Sequence, residues 1–144
     1  MNSKCLGKKY GPFFYKAAFE KMREFSLAVK DDNSIFAERS LSASAPYEEA
    51  IAHPLFCACF NQKPLSVAVR DPELGIDLAK LLHGEQEFEF HKPVTDGMEL
   101  LTEGEIAKIW RKDRYNFMQI ESVTRDKCGD KVVTGRYTVL MVGW

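Results

Sequence analysis

The octapeptide HPLFCACF, His53 to Phe60, is apolar on every side of a helix once its leading histidine is passed. A helix at a protein surface keeps one polar face, so a run without one belongs inside the molecule. Pro54 suits a first helical turn, where its missing amide hydrogen is not needed. The stretch therefore predicts a central buried helix around which the other elements must be arranged. Pro64 limits its length, and a weaker helical pattern follows around Glu73 to Leu82.

What encloses that helix lies after it. In HGEQEFEFHKPVTDG, His83 to Gly97, the pattern changes to a period of two. One face of this strand holds His83, Glu85, Glu87, Glu89 and His91, and the other holds Gln86, Phe88 and Phe90. Strands are predicted over Gly84–His91, Met98–Arg111, Arg114–Arg125 and Lys131–Val142, separated by KPVTDG, KD and DKCGD, the turn chemistry of antiparallel hairpins. A four-stranded antiparallel meander results. Phe88 and Phe90 are expected to cover the central helix, with the three glutamates facing water or a partner. A row of carboxylates flanked by imidazoles has the donor types of a metal site, but alternating charge is also what an exposed strand face requires, and we read it so. Cys57 and Cys59 diverge on a helix and share no ligand site. No metal is expected.

Before the central helix, FFYKAAFEKMREFSLAVKDDN places Tyr15, Ala18, Met22, Phe25 and Val29 at alternating steps of three and four, one face of a helix. Asp31, Asp32 and Asn33 end it, because their side chains compete for backbone hydrogen bonds. The polar stretch ERSLSASAPYEEA then leads to His53.

Length and composition bound the rest. A chain of 144 residues, 45% apolar and 28% charged, is one domain, 1–144, with a single core. Its 20 basic and 21 acidic residues leave a formal charge of -1, so no overall field draws it to nucleic acid or an anionic membrane. No apolar run has signal-peptide length or approaches the roughly 18 residues of a membrane span. A soluble cytoplasmic protein is expected. The scattered Cys5, Cys57, Cys59 and Cys128 read as reduced thiols.

With its elements in this order the chain resembles the hot-dog fold, an α+β architecture in which an antiparallel sheet wraps a long central apolar helix. More specifically it resembles the MaoC-like dehydratases and (R)-specific enoyl-thioester hydratases. The resemblance runs from about Tyr10 to Val142 and is carried by REFSLAVKDDNSIFAE, AIAHPLF and LLHGEQEFEFHKPVTDGMEL. Active members have a loop G-D-x-N-P-x-H, whose aspartate and histidine add or remove water across a carbon-carbon double bond. Here the loop reads K-D-D-N-S-I-F, Lys30 to Phe36. Asp31 and Asn33 match, Ser34 replaces the proline, and Phe36 stands where the histidine belongs. A phenyl ring neither accepts nor donates a proton. At the helix start, active relatives show His-Gly where this chain has His53-Pro54; Pro54 cannot polarise a thioester carbonyl, whereas Leu55 and Phe56 have amides to offer.

The resemblance thus implies the degenerate partner of a two-subunit dehydratase of fatty acyl metabolism, holding the acyl chain while a complementary MaoC-like chain supplies the Asp/His pair. It implies an acyl-CoA or acyl-carrier-protein thioester as ligand, no cofactor, and a pocket near Asn33, Phe36, His53, Leu55 and Phe56. Asp31 is either a surviving acid/base or a helix terminator, and His53 either lines the pocket or starts the helix. Two other readings stand beside this one: a self-sufficient homodimeric hydratase or acyl-thioesterase, and a non-enzymatic acyl-thioester-binding module.

Overall fold

The computed structural model describes residues 1–38 and 50–142. Most of the polar stretch ahead of the central helix lies outside the described residues. Five strands form one sheet: β1 (Lys9–Lys16), β2 (Leu81–Phe90), β3 (Glu99–Lys112), β4 (Tyr115–Asp126) and β5 (Lys131–Val142). Their order is β1-β3-β4-β5-β2, and every pairing is antiparallel. The expected hairpins β3–β4 and β4–β5 are present, the first closed by a turn in which Asp113 takes φ 52°. The four-stranded meander needs correcting. β2 does not pair with β3 but lies beyond β5, and β1 takes the free edge of β3. Residues 91–98 carry the chain across from one edge to the other, tied to β5 by the His91 amide on the Val132 carbonyl at 2.9 Å. A period of two says which face a side chain takes and says nothing about which strand is the neighbour.

The first predicted helix is also corrected. Phe13 to Lys16 belong to β1, and helix α1 spans only Phe19–Ala28. The aromatic run Phe13-Phe14-Tyr15 suits a pleated surface, and pairing with Thr102, Leu101 and Leu100 of β3 outweighs the helical spacing. Asp96 then caps α1, accepting the Phe19 amide at 2.9 Å. The weak helical pattern before β2 is two 3-10 turns, Pro72–Leu74 and Leu78–Lys80.

The central helix is buried against the sheet's inner face, but it is short rather than long. It runs 15 residues, 54–68, in three pieces: a 3-10 turn Pro54–Cys57, α3 (Ala58–Asn61) and α4 (Lys63–Ala68), with a four-residue helix, α2 (Ser34–Ala37), preceding it in the chain. Pro64 has no amide to continue the ladder, so the helix restarts at Lys63. Phe56, Cys57 and Phe60 pack with Met22, Val94, Leu100, Val132 and Val133, while Leu65 and Ala68 pack with Ile106, Met118, Ile120 and Tyr137.

Two glycines let the helix sit this close. A Cβ on Gly104 would lie 2.3 Å from the Pro64 Cβ, and one on Gly135 would lie 2.0 Å from the Asn61 Oδ1. Asn61 is fully buried; its Nδ2 donates to the Ser122 carbonyl at 3.2 Å and the Thr124 hydroxyl at 2.9 Å, and its Oδ1 accepts the Tyr137 hydroxyl at 2.7 Å. Burial raises the Tyr137 pKa, keeping that hydroxyl protonated as a donor.

On the outer face the carboxylate row meets a cation. Arg136 of β5 bonds Glu121 at 2.8 Å and Glu87, and reaches Glu89 at 3.6 Å. A register shift between His83 and Glu85 takes His83 out of the row and places it on the helix-side face of the sheet, still exposed, 6.4 Å from the Tyr137 ring. Among the described residues no three His, Cys, Asp or Glu side chains converge as a metal site, and no helix is long and apolar enough to cross a membrane.

Gly135→Ala should lower stability by about 1–3 kcal/mol, the usual cost of overpacking, because the intruding methyl displaces the Asn61 amide from its partners. Urea unfolding would read this as a lower midpoint at unchanged slope.

Candidate functional site

The loop after α1 ends that helix with Lys30 at φ 60°, a left-handed residue that swings the chain away from the helix axis. The Asp31 amide then donates back to the Ser26 carbonyl at 2.9 Å. One carboxylate oxygen of Asp31 accepts the Asn33 amide at 3.1 Å, and the Asn33 side chain accepts the Ile35 amide at 3.1 Å, opening α2. Asp31 and Asn33 thus shape this loop through their own hydrogen bonds, leaving the second Asp31 oxygen directed elsewhere.

It is directed at His53. The Ile51 amide donates to the Ile35 carbonyl at 3.1 Å and the Ala52 amide to the Val94 carbonyl at 2.7 Å, which brings the start of the central helix beside the loop. His53 Nε2 lies 3.5 Å from Asp31 Oδ2. His53 Nδ1 accepts the Leu55 amide at 3.1 Å, as an N-cap. An acceptor at Nδ1 leaves the neutral ring's proton on Nε2, the nitrogen nearer the carboxylate. The edge of the Phe36 ring meets the imidazole at a centroid distance of 5.3 Å, and Phe25 lies 5.7 Å away.

The sequence-predicted residues therefore gather, but in defined states. Asp31, Phe36 and His53 are in contact. The Leu55 amide is taken by His53 Nδ1, and the Phe56 amide by the His53 carbonyl at 2.8 Å. The Phe56 side chain is 1% exposed and belongs to the core, whereas Leu55 is 50% exposed.

Beside this cluster opens a groove of about 330 Å³, with His53 and Pro54 in its wall and Cys57, Phe90, Val94, Val132 and Val133 along it. Phe90 is half exposed and faces this groove rather than covering the helix. Burial pushes the Cys57 thiol up to about 12, so its sulfur is a neutral, apolar part of the lining. The groove is assembled from residues 51–57, 90–94 and 132–133, so no local motif announces it. Its only signals in the chain are KPV and the doubled valine before Thr134.

A five-stranded antiparallel sheet closed over a short apolar helix, with the Asp31 loop at the helix start, defines a hot-dog protein of the dehydratase and hydratase class. Residues 4–135 match the family described as FAS1-like, dehydratase domain region, and the chain belongs to that family. Among solved structures it is similar to the truncated HadBC (3R-hydroxyacyl-ACP dehydratase) complex from Mycobacterium tuberculosis, with a TM-score of 0.83 over 97% of this chain and 99% of that one at 21% identity. It is also similar to the R-hydratase PhaJ1 from Pseudomonas aeruginosa, with a TM-score of 0.72 over 96% of this chain and 83% of that one at 19% identity. These likenesses are of fold. In sequence, a UPF0336 protein of Saccharopolyspora erythraea is 29% identical over 144 residues, covering 99% of this chain and 92% of its own length. One of Streptomyces avermitilis is 30% identical over 135 residues, covering 93% and 90%.

The cap at His53 is testable by itself. His53→Ala removes both ring packing and cap, while His53→Asn removes the ring and keeps a capping acceptor. The Asn variant should be the more stable by about 0.5–2 kcal/mol in chemical unfolding.

Proposed function

We propose that this chain is the acyl-chain-binding subunit of a 3-hydroxyacyl-thioester dehydratase or (R)-specific enoyl-thioester hydratase, working on acyl-CoA or acyl-carrier-protein thioesters in the cytoplasm. In this reading residues 1–144 are one hot-dog domain, and a complementary MaoC-like chain supplies the reacting Asp/His pair. The observation that carries it is Phe36 packed on His53, an imidazole whose Nδ1 is taken by the Leu55 amide and whose Nε2 lies 3.5 Å from Asp31. Hydration needs one group for the α-proton and one for the β-hydroxyl. Asp31 is the one family acid/base residue retained on the loop, and its second oxygen lies 3.5 Å from His53.

The apolar groove supports the binding half of the proposal. Its mostly apolar lining, whose Lys92 is paired with Asp126, suits an unbranched hydrocarbon chain, and the site residues Asn33, Phe36, His53, Leu55 and Phe56 lie on the loop and helix start beside it. The outer edge of β2 has no strand partner in the sheet order, and pairing of that edge with another chain is the simplest way to cover it. Solved relatives of this fold include assemblies of two named components, HadBC and ChsH1-ChsH2.

One observation favours a second reading. The 3.5 Å approach of Asp31 to His53 is a carboxylate-imidazole pair, which in a homodimer would make the chain a self-sufficient hydratase.

Assays with crotonyl-CoA and longer 2-enoyl-CoA substrates, on the chain alone and with the protein that copurifies from its native host, separate the two. The isolated chain should be at least about 100-fold less active than the assembly, the lower bound for loss of acid–base catalysis. Phe36→His should leave it so, because Lys30, Ser34 and Pro54 still depart from the active pattern. Turnover by the isolated chain that disappears in Asp31→Asn would instead establish the self-sufficient enzyme.

Within the assembly, Ile51→Trp, at a partly exposed position in the groove wall, should fill the groove. Turnover of long-chain substrates should then fall while crotonyl-CoA turnover is kept, as read from kcat/KM across chain lengths.

A further inference from the structure

The sheet's outer face is not uniformly polar. The pairings Trp110–Phe117, Phe117–Leu140 and Leu140–Leu82 place four apolar side chains in one row across β3, β4, β5 and β2. The buried Met118 and Val139, next along β4 and β5, point to the opposite, helix-covered face, so this row points outward. Trp110 and Phe117 are stacked at 5.0 Å with an angle of 8°, and Tyr115 adds its edge to Phe117 at 6.4 Å. Leu82 is 55% exposed and Trp110 37%. A band of two aromatic rings and two leucines, open to water on a face that elsewhere carries Arg136 and its glutamates, is the mark of a contact surface.

The neighbouring row says what fits it. Lys108, Gln119, Thr138 and Glu85 stand side by side across the same four strands, with Gln119 donating to Thr138 at 3.3 Å. Lys108 and Glu85 end the row about 14 Å apart, three strand spacings, and neither has an ion-pair partner among the described residues.

We propose that this face is a self-association surface, on which a second copy of the chain packs back to back about a two-fold axis running parallel to the strands between β4 and β5. That axis lays Trp110 on Leu82 of the other copy and Phe117 on its Leu140. It also lays Lys108 over Glu85 of the other copy, and Glu85 over its Lys108, so both unpaired charges are matched twice by one operation. In the next row the same operation opposes Glu105 to Glu87, which repel, and Glu121 to Arg136, which attract, so that row adds little and the contact centres on the two rows near the β3–β4 turn. Two twisted sheets crossing at about 30° diverge away from such a contact. About ten residues a side is well under the 20–30 of a standard interface, so the association is weak and concentration-dependent. It uses a different surface from the β2 edge and does not rest on the functional reading above.

Sedimentation velocity on the purified chain from about 5 to 500 µM tests it, alongside circular dichroism to show that each variant is folded. The wild type should show one mass-doubling step within this range, and Trp110→Glu and Leu82→Glu should each abolish it or move it at least tenfold higher. Lys108→Glu and Glu85→Lys should each weaken the step, and the double variant should return it to within about threefold of wild type, because each swapped charge meets its swapped counterpart. Absence of the step in the wild type, its persistence in Trp110→Glu, or a double variant no better than the singles would each overturn the proposal.

Discussion

Asn61 is where the helix is held to the sheet. Its amide joins the Ser122 carbonyl, the Thr124 hydroxyl and the Tyr137 hydroxyl, all inside the core, and the Thr124 hydroxyl is bonded in turn to Thr102 at 2.7 Å. A buried amide left without partners costs about 1–3 kcal/mol for each unmet group, so this network permits one depth and one rotation of the helix and penalises the rest. Gly104 and Gly135 make that depth possible by removing the methyl groups that would meet Pro64 and Asn61. Among the described residues the Ser122 hydroxyl, buried beside Gly104, finds no hydrogen-bond partner, a cost accepted where helix and strand approach most closely.

The depth of the helix decides the position of its first residue. With α3 and α4 held on β3, β4 and β5, the turn at Pro54–Cys57 projects toward residues 94–95 and α2, where the Ala52 and Ile51 amides are caught by Val94 and Ile35. His53 is brought in this way against Asp31, Phe25 and Phe36. Its Nδ1 satisfies a helix-end amide that would otherwise need another acceptor, so the imidazole is a structural cap and a member of the site at once. The same placement leaves open the groove between residues 51–57 and the segment after β2.

The charged side chains act at the edges of this arrangement. Arg136 gathers three glutamates from β2 and β4 on the outer face, which gives the carboxylate row a structural use. At the β4–β5 turn, Asp126 accepts Lys92 and the amides of Cys128 and Asp130. Lys92 foremost, with those amides, holds its carboxyl below the ordinary range, so its contribution to stability is present at neutral pH and is lost as pH falls through the lowered folded value. That pairing also fastens the segment after Phe90 that walls the groove.

The sequence by itself determined the buried helix at Pro54 and the strands β3 to β5 with their two hairpins, because each is written in local period or turn chemistry. It also marked Asp31 and His53 as candidates. It misread Phe13 to Lys16 as helix and expected a long central helix where prolines divide a short one. Only the tertiary structure decided that β2 lies beyond β5, that the register shift after His83 moves it to the other face of the sheet, and that Asp31, His53 and Phe36 meet. Those outcomes depend on which strand finds which edge and on how closely glycines let a helix approach. Both are set by packing between residues tens of positions apart, which no local pattern encodes.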